Sequence, residues 1–395
     1  MYDICIIGGG PSGMSAAITA KKINPLLTIC IIEKNPMLGK KIYATGNGKC
    51  NLSHRSCQES LAVLKFFDDI GIFTRTDETG RMYPASEQAT DVVNALENAL
   101  RAASVELKCN ASPKHICKTD FGFRIELSEG NVECKKLLLA TGGKAGPQYG
   151  NLGEGYTYSK QLGHQVNRTY PVLSPLECIG NFQMLKGIRA KGNASLLYNG
   201  NLIATEPGEI QFTEDGLSGI CVFNLSRFVS LDPKLPLSDA FKAYAVAIDF
   251  LPNLNLNEVE LCLKSRAEQP NSKTGDLLLT MVHTGIFGDI LKRLALDSEQ
   301  DASGLSVREI EKIAGLLKRW ECQVSGVKGW KKAQCTGGGI PFSDIDERSG
   351  KSQLTAGLYF AGELLDYDGP SGGFNLHFAW DSGIKAGKAM ANETV

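Results

Sequence analysis

No apolar run in the 395 residues approaches the ~20 needed to cross a bilayer, so no membrane-spanning segment is expected. An excess of one charge is missing too: 42 Lys and Arg stand against 43 Asp and Glu, a net charge of −1. Nucleic acids and acidic membrane surfaces are held by basic faces, so neither is an expected partner. The twelve cysteines never form a Cys-x-x-Cys pair. Met1 to Ile7 read as a core strand without a basic start, so no secretory leader is expected. Scattered thiols without a leader fit a reducing cytoplasm better than a disulfide framework. Internal repeats, low-complexity tracts and hydrolase or metal motifs are also lacking, and no metal site is expected.

What is present has ordinary globular texture, 43% hydrophobic and 22% charged. At roughly 150 residues per domain the length suggests two or three domains. Tyr2 to Ile7 is a short apolar run ending in glycines, Ser12 to Lys22 reads as a helix, and Leu27 to Ile32 is a second β-rich run. Together they make a βαβ unit. Ala89 to Ala103 follows a helical period; Val105 to Leu107, His115 to Lys118, Phe121 to Leu127 and Lys136 to Ala140 read as strands. From about Cys178 the texture changes. Ala194 to Ala204 and Glu209 to Phe212 read as strands around the Asn199-Gly200 turn, and Tyr244 to Leu251 as another. Leu256 to Gln269, Leu277 to Leu296 and Ser306 to Lys318 read as helices. After Gly337-Gly338-Gly339 the α/β pattern returns, with Leu358 to Ala361 as a buried strand and Gly373 to Met390 as a last helix. The expected fold class is α/β. A Rossmann-like domain is built from 1–178 and 333–395. An insert fills 179–332, β-barrel-like over about 179–250 and 320–332 and helical over about 251–319.

Gly8, Gly10 and Gly13 form a G-x-G-x-x-G between a strand and a helix, with Pro11 and Ser12 inside the turn. That context gives the pattern a mechanism. Gly8 permits the turn, Gly10 lets the backbone approach a pyrophosphate, and Gly13 lets helix and strand pack. The helix N-terminus adds unpaired N–H groups and partial positive charge. Glu33, at the end of the second strand, is placed to accept both ribose hydroxyls and to repel a 2′-phosphate. FAD or NAD is expected there, not NADP. Gly362 and Glu363 after the late strand decide for FAD, because such an acid suits ribityl hydroxyls. Gly373, Phe374, Asn375 and Leu376 open the last helix, whose N-terminus suits the flavin N1/O2 edge. Thr45-Gly46-Asn47-Gly48-Lys49-Cys50-Asn51 is rich in residues that tolerate positive φ and expose backbone; it reads as a wall for the ribityl chain and ring, or as a plain surface loop. Ala140, Thr141 and Gly142 end a strand, where α/β sheets place ligands.

The stretches GGGPSG, EKNPMLGKKIYATGNGKCN, GRMYPAS, LLLATGG, PVLSPL, GEIQFTEDGLSG, CTGGGI and AGELLDYDGPSGGFNLHFAWDSG resemble the flavoprotein family that includes the BaiN-like bile-acid reductases and aminoacetone oxidase. They span nearly the whole chain. The resemblance implies tightly held, non-covalent FAD, with Lys34 and Lys40 among its contacts. It also implies an FAD domain made from both chain ends with a barrel-like and helical insert. Gly219-Ile220 departs from the Gly-Pro of many relatives, on the substrate side.

A second strand–GxGxxG–helix unit is missing between residues 150 and 330, as is a Cys-x-x-x-x-Cys near the first βαβ unit. A disulfide reductase with its own nicotinamide domain is therefore not expected. The family implies NAD(P)H as a transient electron donor in its reductases and oxygen as the acceptor in its oxidases. The expected activity is reduction of a conjugated C=C in a small, steroid- or bile-acid-like substrate. The alternatives are oxidation of an aminoacetone-type amine with peroxide release, or a flavoprotein that binds RNA or a partner. No catalytic residue is assigned. His377, on the first turn of the last helix, is either a proton donor or a packing residue. Cys50 lacks a resolving partner and reads as structural. His283 reads as a surface residue or the lining of a pocket. Arg81 either holds a carboxylate or phosphate or makes a structural salt bridge. Monomer and homodimer both remain open.

Overall fold

The protein is described from a computed structural model over residues 1–57, 60–229 and 240–393. It divides into two compact units, 1–171 with 333–395, and 172–332. Residues 172–178 therefore go with the second unit, not the first as the sequence pattern suggested. The reason is Leu176–Cys178, a strand that pairs with Gly216–Ser218 and Trp320–Val327 and so closes the barrel wall.

The first unit is organised on a sheet whose central strand is Tyr2–Ile7. It runs parallel to Ile29–Ile32 on one side and Asn131–Leu139 on the other. Glu106–Lys108 extends the first edge and Leu358–Phe360 the second, also in parallel. Parallel strands buried on both faces read as continuous apolar runs, and Ile4, Cys5 and Ile6 have no exposed surface. Because all five run the same way, Gly8, Glu33, Ala140 and Ala361 emerge at one end of the sheet. A separate three-stranded sheet pairs Arg81–Pro84 with Ser53–His54 and Thr74–Thr76.

The opening helix, Pro11–Ile23, starts with proline in its first turn, where the missing N–H costs nothing. The last helix, Phe374–Asn392, lies against it through small residues. A Cβ on Gly383 would stand 2.3 Å from the Ser12 carbonyl oxygen, and one on Gly387 2.4 Å from that of Ala16. Ser15 Oγ donates to the Trp380 carbonyl at 3.3 Å across this seam. Trp380 is fully buried and meets Phe67 edge-on at 5.3 Å.

The second unit is a closed six-stranded barrel in the order Leu176–Cys178, Gly216–Ser218, Asn201–Phe212, Arg189–Tyr198, Tyr244–Asp249, Trp320–Val327. Trp320–Val327 alternates buried and open residues, as a barrel strand must. Helices Leu256–Ala267 and Val307–Lys318 begin at capping boxes on Asn255/Glu258 and Ser306/Glu309. The α/β class with a barrel-like insert is the one expected. The helix expected over Leu277 to Leu296 is shorter, Thr284–Leu294. Thr280 has φ +70°, which breaks the helical turn, and the exposed His283 caps the new start by accepting the Gly285 N–H at 3.1 Å. His283 is thus a cap on an open surface.

Candidate functional site

A cleft opens at the carboxyl ends of the parallel strands, with an empty volume of about 1240 Å³ including open solvent at its mouth. Gly8, Gly10, Pro11 and Ser12 line it from the opening turn, Glu33 and Lys34 from the second strand, and Ala140, Thr141 and Gly142 from the third. Lys40, Thr45, Glu363, Asn375 and Leu376 complete the part foreseen from sequence.

The glycines of the turn have different duties. A Cβ on Gly13 would lie 2.0 Å from the Gly8 carbonyl oxygen, so this glycine packs helix on strand. A Cβ on Gly10 would meet no atom within 4 Å. Its surroundings are open space in front of a helix N-terminus, the setting that takes a pyrophosphate. Gly362 lies off the lining, where a Cβ would meet Ser12 Oγ at 2.5 Å.

Charged groups along the cleft are already paired. Glu33 is buried; its Oε2 accepts the Gly9 N–H at 2.8 Å, and its Oε1 accepts the Asn35 backbone and side-chain N–H groups at 2.8 and 2.7 Å. Lys34 pairs with Glu154. Lys40 Nζ donates to Asn35 Oδ1 at 3.4 Å. Glu363 Oε2 takes Lys41 Nζ at 2.7 Å while its Oε1 accepts the Thr336 N–H at 2.9 Å. Burial opposes the Lys41 charge most strongly, but Glu363, with Cys335 and Tyr149 adding to it, leaves the ammonium pKa raised. Thr336, from the CTGGGI stretch, is fully buried and its hydroxyl accepts the Lys144 and Ala145 N–H groups. That brace fixes the turn after Gly142.

The Thr45–Asn51 segment does carry unusual backbone: φ is +57° at Gly46, +56° at Asn47, +87° at Gly48 and +58° at Cys50. Thr45 alone of this segment lines the cleft; Gly46, Asn47, Gly48, Cys50 and Asn51 stand outside the lining. Cys50 is fully buried, and burial pushes its thiol up to about 12, so it is a packed thiol and not a nucleophile. Gly373 and Phe374 also lie off the lining. Asn375 uses its side chain on the preceding loop, accepting the Gly369 N–H at 2.7 Å and donating to the Gly369 carbonyl at 2.8 Å. His377 is buried, with Nδ1 2.8 Å from Ser53 Oγ, and does not line the cleft. The sequence reading missed Asn35, Lys41, Tyr149, Glu154, Cys335, Tyr367 and Phe378 as lining residues. Lys41 had one available signal, a second basic residue beside Lys40.

The HI0933-like protein Rossmann domain matches residues 58–389. The chain belongs to that family. HI0933-like proteins of this kind are FAD-dependent oxidoreductases, and this chain is an enzyme of that class. It is 30% identical to the 3-dehydro-bile acid delta(4,6)-reductase of Clostridium scindens, over 99% of both chains. It is 25% identical to the ribosomal RNA dihydrouridine synthase of Escherichia coli, over 96% of both. Among solved structures, the 3-ketosteroid-delta4-(5alpha)-dehydrogenase from Rhodococcus jostii has the same fold, with a TM-score of 0.51 at 13% identity over 99% of this chain and 97% of that one. The family's cofactor fits the HI0933-like cleft found here: the open space at Gly10 and the buried Glu33 carboxylate are what an adenine dinucleotide without a 2′-phosphate requires.

Proposed function

We propose that the protein is a reductase that takes electrons from NAD(P)H and saturates a C=C bond conjugated to a carbonyl in a small organic substrate. The observation that carries this is 30% identity, over 99% of both chains, to a reductase of a 3-dehydro-bile acid. The dihydrouridine synthases point the same way, since dihydrouridine is uridine with hydrogen added across a C=C next to a carbonyl. FAD supplies the hydride relay when bound. In this reading Gly8 to Ser12 hold its pyrophosphate, Glu33 its ribose hydroxyls, and Glu363 its ribityl chain. Lys41 holds Glu363 in place through their ion pair. The N-terminus of the last helix, at Gly373 to Leu376, would favour negative charge on a reduced flavin held beside it. A cytoplasmic setting, with NAD(P)H at hand, is part of the same proposal. Among the described residues no helix is long and apolar enough to cross a membrane.

Anaerobic stopped-flow mixing tests it. NADH or NADPH is expected to bleach the flavin band, and a 3-oxo-Δ4 steroid to restore it. A flavin bleached by neither nucleotide overturns the proposal. Peroxide release with aminoacetone supports an oxidase instead. A polynucleotide substrate is a second reading, favoured by the full-length likeness to two ribosomal RNA dihydrouridine synthases. Dihydrouridine formed in unmodified ribosomal RNA, with no turnover of enones, decides for it.

A further inference from the structure

The strand Arg81–Pro84 carries two polar side chains on one face, Arg81 and Tyr83, both partly buried. Arg81 Nε lies 3.6 Å from where a Cβ of Gly372 would be, and the Tyr83 ring edge 3.4 Å from where one of Gly46 would be. They therefore stand beside the turn before the last helix and beside the loop that follows Thr45, a residue of the cleft lining. Neither side chain has a hydrogen bond or ion pair among the described residues. Asp77 accepts the Arg81 backbone N–H at 3.0 Å. Its carboxyl is held low by the Thr79 hydroxyl first, with the Arg81 charge a lesser contribution. Among the described residues no carboxylate comes within ion-pair distance of the guanidinium.

A third group joins them. Asn51 is 8% exposed, and its Oδ1 is buried without a partner. That oxygen lies 2.8 Å from where a Cβ of Gly373, the N-cap of the last helix, would stand. Buried polar groups in folded proteins are normally satisfied, and a side-chain amide left bare costs stability unless something else fills the gap. An arginine fork and a phenol, without partners among the described residues and beside a helix N-terminus, form a cradle whose charge is positive, while the Asn51 Oδ1 is an acceptor that suits a hydroxyl or N–H of a ligand. In the cleft Lys34 is spent on Glu154 and Lys41 on Glu363, whereas Arg81 has no such partner among the described residues.

We propose that Arg81, with the Tyr83 hydroxyl beside it, holds an anionic oxygen of the substrate. This rests on the reductase reading above and names what that site recognises. The oxygen has two possible sources. One is a permanent carboxylate on the substrate. The other is the carbonyl oxygen of the enone itself: when hydride adds at the β carbon, the C=C electron pair shifts to form an enolate, the charge falls on that oxygen, and a proton then closes the α carbon. Arginine presents planar, always-charged donors suited to either.

The test uses FAD-loaded protein and no turnover, so it stands apart from the NAD(P)H experiment. Benzoate serves as a carboxylate probe and 4-nitrophenolate as an enolate-oxygen probe, each titrated while the flavin difference spectrum is read. Wild type is expected to bind at least one. Arg81→Gln should weaken that binding about 10- to 100-fold, with Arg81→Lys in between. Tyr83→Phe should weaken it by a smaller factor. Arg75→Gln, on the neighbouring strand and paired with Glu87, should change nothing. Binding of benzoate alone assigns the carboxylate, and of 4-nitrophenolate alone the enolate. Thermal melts and flavin content confirm that each variant is folded and loaded. The proposal is overturned if wild type binds neither probe, if Arg81→Gln binds as wild type does, or if Arg81→Gln loses its flavin, which would make Arg81 a cofactor contact.

Discussion

Two polar regions of the first unit are built on opposite plans. Along the cleft from Gly8 to Glu363, charged side chains are tied to each other or to backbone N–H groups before any ligand arrives: Glu33 to Gly9 and Asn35, Lys34 to Glu154, Lys41 to Glu363. Beside it, Arg81, Tyr83 and the Asn51 Oδ1 have no side-chain partner among the described residues. The first plan suits a ligand that stays bound, because fixed donors and acceptors cost little reorganisation when it docks. The second suits a visitor, since water can stand in for a substrate that comes and goes.

The sharpest way to break this contrast is at Gly10. Gly10→Val should leave the fold intact, because a Cβ there has no protein neighbour within 4 Å, yet abolish flavin binding. A colourless protein with a near-normal melting curve is expected; a yellow one removes the pyrophosphate from this turn. Gly13→Val makes the counterpart, because its Cβ would collide with the Gly8 carbonyl, and it should lose the fold together with the flavin. Next comes Glu33→Gln, expected to weaken FAD about 10- to 100-fold by removing a charged acceptor, read by flavin release on dilution. Lys41→Met should lower unfolding free energy by about 1–3 kcal/mol, because Glu363 loses its cation, and denaturant titration measures it. Arg81→Gln is the smaller, opposite case: it breaks no pair, so its effect on stability should stay within about 0.5 kcal/mol. The smallest effect tests pairing far from the cleft. His164 is buried, with Nε2 2.8 Å from Ser352 Oγ and Nδ1 3.6 Å from Asp344. Burial holds its pKa below 6.5, with Asp344 pulling weakly the other way. Below pH 6.5 the unfolded chain therefore binds a proton that the fold resists, and stability falls as the pH drops through the folded value. His164→Gln should flatten the melting temperature against pH over that range.

The opening βαβ unit, the strand ends and the insert's barrel texture were legible because each is written in local periodicity and turn residues. Glu33 was legible for the same reason, at a fixed distance along the chain from the glycines. Pairings across the fold were not. Lys41 and Glu363 are 322 residues apart, and nothing in either neighbourhood announces the other. Leu277 to Thr284 misled because apolar spacing ran on past a left-handed Thr280 that periodicity does not register. Arg81 was visible as a residue but not as an unpaired one, since a missing partner is a property of the packed molecule alone.

The seam between Pro11–Ile23 and Phe374–Asn392 sets a clock on the making of this protein. Ser15 and Trp380, joined across it, are 365 residues apart. At ribosomal speeds of about 5–20 residues per second, the first waits roughly 20–70 s for the second. During that interval the small-residue face of the opening helix, from Ser12 to Ala16, has no partner helix, and the wall formed by Glu363 and Asn375 does not yet exist. Cofactor capture therefore belongs to the last moments of synthesis or later, and a nascent chain stalled short of Gly383 should emerge without colour.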